Sequence, residues 1–444
     1  MSTQRVHVVG AGLAGSEAAY QLARWGIPVV LHEMRPTRMT EAHHTGGFAE
    51  LVCSNSLKSK DALSAPGMLK AEMSRVGSLI LECAAKSEVP GGQALAVDRG
   101  IFSDEVTARL RSHPGVTVES GEVTEPFKDG ITLFATGPLT SSGLAQWLQK
   151  ATGENSLYFY DAIAPIVDAS TIDLDKAFLA NRYDKGEEEA YLNCPLNEAE
   201  YAAFLDALTK AEKVTPKDFE KEKFFAGCQP IEAIAATGPQ SLRFGPMKPA
   251  GLTDPRTGRW PHAVVQLRPE NRARTAYNLV GFQTKLKYGE QSRVFRMIPA
   301  LHRAEFLRLG SIHRNTYVCG PRCLRPDLSL KGHPRVYLAG QVTGVEGYLE
   351  SAAIGLLAGL FVRQRLEGKP HAAPPANTAL GALLRHVTAT DPARYQPGNM
   401  HFGLFDPILF DGLSGSPKDV LRKGMAEQAL GRFGTWLGQA GPPA

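Results

Sequence analysis

The sequence contains few cysteines and lacks a long apolar run, and each scarcity excludes a class of protein. Its six cysteines are unevenly spaced over 444 residues, with neither a Cys-x-x-Cys pair nor a Cys/His cluster at zinc spacing. This pattern argues against a disulfide framework, a redox dithiol and a structural metal site, so we expect no bound metal. The most continuous apolar stretch, residues 352–362, is too short and too glycine-rich to span a bilayer.

Charge of one sign is also scarce. The net charge is +4 and 21% of residues are charged, which is typical of an ordinary globular protein. A nucleic-acid partner must therefore be argued from where the charge lies. A strand predicted at residues 5–10 leaves no room for a signal peptide, so we expect a cytoplasmic protein that does not associate with membranes.

The N-terminal segment has the pattern of a nucleotide-binding βαβ unit. A buried strand leads into Gly10-Ala-Gly-Leu-Ala-Gly15, which opens a helix, and a second strand ends at Glu33. Gly10 would make the turn, Gly12 would let the backbone approach a pyrophosphate, and Gly15 would allow close packing of helix and strand. Glu33 would accept the ribose hydroxyls. A glycine-rich turn without a ligand is the less favoured alternative.

Two later segments favour FAD over NAD. One strand ends at Ala135-Thr136-Gly137, and a late strand ends at Ala339-Gly340, as in two-dinucleotide flavoproteins; Gln341 stands where many of these have Asp. A single Gly-x-Gly-x-x-Gly leaves NAD(P)H without a domain of its own. We expect the cofactor to contact Gly10, Ala11, Gly12, Leu13, Ala14, Gly15, Glu33, Arg35, Thr136, Gly137, Gly340, Gln341 and Gly347.

The predicted fold is α/β, a Rossmann-like FAD-binding domain of the two-dinucleotide type with an inserted α+β domain. We predict that residues 1–155 form its first part, 156–305 the insertion on the substrate side, and 306–444 its second part with a C-terminal extension. Within the first part, residues 36–64 read as one long functional loop. Residues 68–86 have helical periodicity.

Two cysteines lie in contexts that suggest turns. Cys228 follows a glycine and precedes a proline by two positions, and Cys53 comes just before Ser54. If Ser54 or a neighbouring polar residue capped a helix, the pKa of the Cys53 thiol would be lowered. From spacing alone, either thiol could equally be a small buried hydrophobe, as we expect of Cys83.

A basic stretch interleaved with aromatic residues lies in the second half of the chain. Phosphate contact with base stacking is one interpretation. A solvated face whose acidic partners lie elsewhere is the other. The basic residues are Arg256, Arg259, Arg268, Arg272, Arg274, Lys285, Lys287, Arg293, Arg296, Arg303, Arg308, Arg314, Arg322 and Arg325, and the aromatic ones are Trp260, His262 and Tyr277.

Longer strings resemble one known family over nearly the whole chain, the bacterial folate- and FAD-dependent tRNA (uracil-5-)-methyltransferases. Gln341 agrees with that family, whereas Gly46-Gly47, Gly91, Gln93 and the 319–323 segment depart from it. The strings lie at residues 10–19, 33–36, 48–57, 94–99, 135–140, 191–195, 244–249, 254–258 and 340–347.

The resemblance implies 5-methyluridine formation in the T-loop of tRNA. Methylenetetrahydrofolate would be the carbon donor, FAD the cofactor and NAD(P)H the reductant, with no obligatory protein partner. The family's catalytic cysteines fall on Cys53 and Cys228. We expect Cys228 to attack C6 of uracil and Cys53 to act as base or partner, although these roles could be reversed.

Three alternatives remain from the sequence. A related flavin/folate enzyme modifies the wobble uridine of tRNA, but the segment after Pro370 looks too short for its C-terminal domain. A disulfide reductase would need a Cys-x-x-Cys pair and a second nucleotide motif. A non-catalytic RNA-binding flavoprotein would be indifferent to the loss of Cys228.

Overall fold

The computed structural model describes residues 5–154, 157–185, 190–214, 229–413 and 416–440. The strands are β1 (Val6–Val9), β2 (Val29–Glu33), β3 (Ser56–Ser59), β4 (Glu88–Val89), β5 (Ala94–Val97), β6 (Val116–Ser120), β7 (Ile131–Phe134), β8 (Leu157–Ala162), β9 (Ile166–Asp168), β10 (Phe178–Leu179), β11 (Leu192–Leu196), β12 (Ala263–Pro269), β13 (Ala276–Leu279), β14 (Phe306–Arg308), β15 (Ile312–Tyr317), β16 (Ser329–Leu330) and β17 (His333–Leu338). The helices are α1 (Leu13–Arg24), α2 (Ala65–Arg75), α3 (Leu79–Lys86), α4 (Arg99–Arg111), α5 (Ser142–Thr152), α6 (Glu198–Lys210), α7 (Ile231–Ala235), α8 (Ser241–Phe244), α9 (Tyr288–Phe295), α10 (Gly320–Cys323), α11 (Tyr348–Leu366), α12 (Ala379–Ala389) and α13 (Lys418–Ala440).

The main sheet has the strand order β16-β17-β7-β1-β2-β6. The strands from β17 to β6 are parallel, and β16 adds an antiparallel edge. β1 is buried along its whole length, as expected for a central strand covered on both faces. This sheet, covered by helices, confirms the predicted α/β class with a Rossmann-like domain.

Close helix packing fixes the position of the glycine turn after β1. Helix α11 crosses α1 so tightly that a β-carbon on Gly355 would lie 2.2 Å from the Ala14 carbonyl oxygen. One on Gly359 would lie 3.3 Å from the Ala18 oxygen. The small residues of α11 therefore let the two backbones approach, and α1 is held against the sheet with its N-terminus at the sheet's carboxyl edge.

A second sheet, of order β10-β11-β12-β13-β9-β14, is antiparallel and has its own core. The buried residues of this core lie between 167 and 304, whereas those of the main core lie at 6–148 and 318–436. β8 and β15 pair as a two-stranded ribbon. Along the sequence, β8 lies between the first part of the main core and the second core, and β15 lies between the second core and the rest of the main core. The domain boundaries at 155/156 and 305/306 stay predictions, and β14, which pairs with β9, places residues 306–308 in the second sheet.

The helical pattern over 68–86 corresponds to two helices, α2 and α3, because Gly77 adopts a φ of +73° and Ser78 starts a new helix by accepting from the Leu81 N–H. One local prediction was wrong. The predicted loop at 36–64 contains β3, which pairs with β5. No helix in the described segments is both long and apolar enough to cross a membrane.

Candidate active site

A cavity of about 420 Å³ opens at the carboxyl edge of the main sheet and continues to the loop that carries Cys53. Among the predicted cofactor residues, those that line it are Gly10, Gly12, Leu13, Ala14, Glu33, Arg35, Thr136, Gly137, Gln341 and Gly347. Ala11, Gly15 and Gly340 are not among the residues that line it. Cys53 and Tyr348 line the same cavity, so a thiol and the glycine turn open onto one space.

The glycine turn has the geometry that a pyrophosphate requires. Gly10 has a φ of +97°, and a β-carbon there would lie 2.7 Å from the Ala135 carbonyl oxygen. A β-carbon on Gly15 would lie 1.8 Å from the Gly10 oxygen, whereas one on Gly12 would meet nothing within 4 Å. Gly12 is also the N-cap of α1, and no side chain caps it. The first N–H groups of α1 therefore suit an anionic ligand, and the site fits a dinucleotide.

Glu33 is buried at the end of β2 and is held by its neighbours. Its carboxylate accepts from the Ala11 N–H at 2.9 Å and from the backbone and guanidinium of Arg35 at 3.0–3.1 Å. Burial opposes ionisation, but the hydrogen bonds and charge of Arg35 outweigh it and lower the pKa of Glu33. A carboxylate has about four acceptor positions, so a ribose must share Glu33 with Arg35.

The Cys53 loop is pinned by a tyrosine hydroxyl. The backbone N–H groups of Cys53 and Ser54 donate to the Tyr348 oxygen at 2.7 Å and 3.1 Å. The Cys53 thiol lies 3.7 Å from the carbonyl oxygen of Ala162, at the end of β8. Burial and the nearby Cys53 raise the pKa of Tyr348, so its hydroxyl stays neutral and can accept both hydrogen bonds.

Two arginines hold the carbonyl groups of the same loop. Arg99 donates to the Leu51 oxygen and, at 3.4 Å, to the Cys53 oxygen. It is itself held by Glu270, which lies at 2.5 Å and 3.1 Å from its nitrogens. Arg308 donates to the Val52 oxygen. The two guanidinium groups thus hold the carbonyl oxygens of three successive residues, 51 to 53.

The helix cap predicted next to Cys53 is absent, because the residues after it form β3 and the following helix is capped by Ser64. Asn55 instead anchors the loop. It is fully buried, donates to the Val97 and Pro269 oxygens at 3.0 Å and 2.9 Å, and accepts from Arg268 at 2.8 Å. Side-chain contacts to β5 and β12, rather than a helix N-terminus, determine where the thiol lies.

A buried carboxyl adds a proton-holding group to the cavity wall. Glu346 accepts from the Gln341 side chain at 2.8 Å, and its backbone N–H donates to the Gly398 oxygen at 2.8 Å. Burial, reinforced by Asp161 and Cys53, raises the pKa of Glu346 well above its usual range. This shift favours the protonated form, which can donate a hydrogen bond.

The other predicted thiol, Cys228, lies outside the described residues. Cys83 is fully buried on α3, as predicted, and burial raises the pKa of its thiol to about 12. Cys194 is also fully buried, and the pKa of its thiol is likewise raised to about 12. Among the cysteines within the described ranges, Cys53 is the one that lines the cavity.

Six residues of the basic stretch fall into two groups. Arg268 and Arg308 point inward and hold the Cys53 loop. Others form ion pairs, so the interpretation as a solvated face with acidic partners holds for these residues. The pairs are Arg256–Asp254, Lys287–Glu212, Arg293–Glu290 and Arg322–Glu154.

Comparison with known proteins agrees with this geometry. The family model for glucose inhibited division protein A matches residues 5–370. A protein from Geobacter sulfurreducens named methylenetetrahydrofolate–tRNA-(uracil-5-)-methyltransferase TrmFO is 54% identical over 98% of this chain and 99% of its own. A protein of the same name from Pelobacter propionicus is 53% identical over 98% of this chain and 95% of its own. The chain belongs to this methyltransferase family.

This chain shares its fold with a longer solved protein. The GidA structure from Aquifex aeolicus superposes with a TM-score of 0.71 at 16% identity, over 99% of this chain and 74% of the other. Identity this low supports the fold alone. The fold and the family were therefore both predicted correctly from the sequence.

Sequence reasoning assigned no role to three residues near the Cys53 loop of this methyltransferase. Glu346 lies inside the 340–347 string and Tyr348 follows it directly, and both line the cavity. Arg99 ends the 94–99 string and holds the Cys53 loop from outside the cavity lining. The strings were therefore the available signal, but no local pattern indicates that Arg99 reaches a loop 46 positions away.

Proposed function

We propose that this protein forms 5-methyluridine in the T-loop of tRNA, with methylenetetrahydrofolate as carbon donor, bound FAD and NAD(P)H as reductant. The observation that carries the proposal is that a thiol and a dinucleotide-type glycine turn line one cavity in a chain 54% identical to a named uracil-5 methyltransferase. The relatives' name supports this target over the wobble uridine. We expect the reaction to take place in the cytoplasm and to need no obligatory protein partner.

The glycine turn and the start of α1 would hold the pyrophosphate of FAD, and Glu33 would hold its ribose. Gln341, Gly347 and Cys53 line the same cavity. When bound, FAD supplies the two electrons that convert a methylene carbon into a methyl group. The protein's own groups must supply the remaining steps, which are nucleophilic addition and proton transfer.

Two thiols meet the requirements of uracil chemistry. C5 of uracil is a poor nucleophile, but addition of a thiolate at C6 converts it into an enolate carbon. Cys228 would form the sulfur–C6 bond. Once C5 has gained its new carbon, Cys53 would accept the C5 proton, and the electrons of that C–H bond would expel the Cys228 sulfur.

The surroundings of Cys53 suit that role. Tyr348 fixes the backbone of the thiol's own residue, and Arg99 and Arg308 hold the carbonyl groups of the same loop. The thiol is thereby held at the cavity wall. Glu346, whose burial favours the protonated form, would donate a hydrogen bond to a carbonyl oxygen on which negative charge develops.

The test is to incubate the flavin-loaded protein with unmodified tRNA, labelled methylenetetrahydrofolate and NADPH, and to analyse the nucleosides. Labelled 5-methyluridine at the T-loop position is expected, and its absence would reject the function. Cys53→Ala and Cys228→Ala should each abolish turnover. Cys83→Ala is the matched control, since this buried thiol lies outside the cavity and its loss should leave turnover intact.

A further inference from the structure

Two carboxyl groups, those of Asp161 and Glu346, share the cavity lining with the Cys53 thiol. The three residues come from separate parts of the chain. Cys53 lies in the loop before β3, Asp161 is the next-to-last residue of β8, and Glu346 precedes α11 by two positions. The fold therefore brings together, in one cavity, three groups that can exchange a proton and that are distant in the sequence.

Strand β8 places Asp161 in the same wall as the thiol. The Cys53 sulfur lies 3.7 Å from the carbonyl oxygen of Ala162, and Asp161 is the residue directly before it. In the pairing of β8 with β15, Asp161 stands opposite His313, and both residues line the cavity. The Asp161 carboxyl thus opens onto the space that contains the thiol.

Glu346 is held in a fixed position near both of these groups. Its carboxyl accepts from the Gln341 side chain at 2.8 Å, and only 7% of the residue is exposed. Burial raises the pKa of this carboxyl, and the charges of Asp161 and Cys53 add to the rise. Asp161 and Cys53 are therefore close enough for a negative charge on either one to oppose a negative charge on Glu346.

The other charged groups around Glu346 act in opposite directions. Lys58 lowers the pKa of Glu346 and Glu350 raises it, and these two side chains form an ion pair with each other at 2.5 Å. Burial lowers the pKa of His313, which favours its neutral form. Like charges in one buried site disfavour two carboxylates, so we expect Asp161 and Glu346 to hold one proton between them and to titrate as a pair.

We propose that the Asp161–Glu346 pair takes the proton from the Cys53 thiol, an inference that rests on the proposed function. Glu346 keeps the shared proton, and the carboxylate of Asp161 is the acceptor. In this step the S–H bond breaks, an O–H bond forms, and Cys53 becomes the thiolate that removes the C5 proton. That removal restores the thiol, and the pair passes its extra proton to water.

The physical advantage of this transfer is that it leaves the total charge of the group unchanged. Before the step one carboxylate is charged, and after it the thiolate is charged while both carboxyls are neutral. A thiolate beside a carboxylate would place two like charges in one buried site. The pair therefore makes the thiolate accessible without that repulsion.

Release of tritium from tRNA that carries C5-tritiated uridine measures the C5 proton step in the full-length, flavin-loaded protein. Asp161→Asn keeps the shape of the side chain but removes the acceptor, so release should slow by roughly 100-fold or more. The pH at which the rate is half-maximal should also move upward, because the thiol must then lose its proton to water. Glu346→Gln leaves Asp161 in place and should slow release by a smaller factor.

Chemical rescue separates proton transfer from a structural role. In the Asp161→Ala protein, added formate should restore part of the rate in proportion to its concentration, because a small carboxylate can replace the missing acceptor. The matched control is Asp104→Asn, the same change at an exposed residue of α4 outside the cavity lining. It should release tritium at the wild-type rate. Absorbance checks that each variant carries its flavin.

The inference is overturned if Asp161→Asn keeps the wild-type rate and pH dependence. It is also overturned if this variant is slow with an unchanged pH midpoint and formate does not rescue Asp161→Ala, since the residue would then be structural. Glu346→Gln at the wild-type rate would exclude the pair as well. Wild-type protein that releases no tritium would instead reject the proposed function, so the two failures are distinguishable.

Discussion

Tyr348→Phe removes one oxygen atom and isolates the role of the hydroxyl that pins the Cys53 loop. The phenyl ring retains the packing, but the N–H groups of Cys53 and Ser54 lose an acceptor at 2.7 Å and 3.1 Å. A hydrogen bond of this kind contributes about 0.5–1.5 kcal/mol net. Losing two of them costs about 1–3 kcal/mol.

If that cost falls on the position of the Cys53 loop, the fraction of molecules with a correctly placed thiol drops. At about 1.4 kcal/mol for each factor of ten, methylation should slow by roughly 5- to 150-fold. The assay is single-turnover formation of 5-methyluridine with matched flavin loading, checked by absorbance. Alkylation of Cys53 by iodoacetamide, followed by mass spectrometry, should become faster because the loop is released.

Tyr20→Phe is the control for this experiment. Tyr20 lies on α1 and does not line the cavity, and its hydroxyl accepts a hydrogen bond from Arg109 at 2.6 Å. The Tyr20→Phe protein should lose this comparable hydrogen bond yet methylate at the wild-type rate. A Tyr348→Phe protein with wild-type turnover and an unchanged alkylation rate would refute the idea that this hydroxyl positions the thiol.

Three further predictions concern the cofactor turn, the loop anchor and a buried acid. Gly15→Ala should purify without flavin, since its β-carbon would lie 1.8 Å from a backbone oxygen of the turn; Gly100→Ala, whose nearest neighbour would be at 3.5 Å, should stay yellow by absorbance. Asn55→Ala removes two hydrogen bonds to carbonyl groups and one from Arg268, so the free energy of unfolding in urea should fall by about 3 kcal/mol. Wild-type stability would contradict the anchoring role. Burial raises the pKa of Glu72 from 4.5 to about 8. Between these two pH values the folded protein keeps a proton on Glu72 that the unfolded chain releases. The free energy of unfolding should therefore fall as the pH rises from 4.5 to about 8. The slope is at most about 1.4 kcal/mol per pH unit, and Glu72→Gln should flatten it when urea midpoints at about pH 5.5 and about pH 7.5 are compared.

The elements predicted best are those whose signal is local. The βαβ unit at the N-terminus depends on a buried strand, three glycines and a helix that follows directly, and all of these lie within residues 6–24. The division of the 68–86 pattern into α2 and α3 was missed because helical periodicity continues across Gly77. A positive φ and a new cap interrupt a helix without changing the spacing of its apolar residues.

The sequence alone determined the α/β class, the family, the glycine turn and the identity of the candidate thiols, because each is written in contiguous residues. Tertiary structure alone decided what surrounds Cys53. Arg99, Arg308 and Tyr348 reach its loop from 46, 256 and 295 positions away. Contacts over such distances depend on how two sheets and α11 pack together, and no local pattern encodes that arrangement.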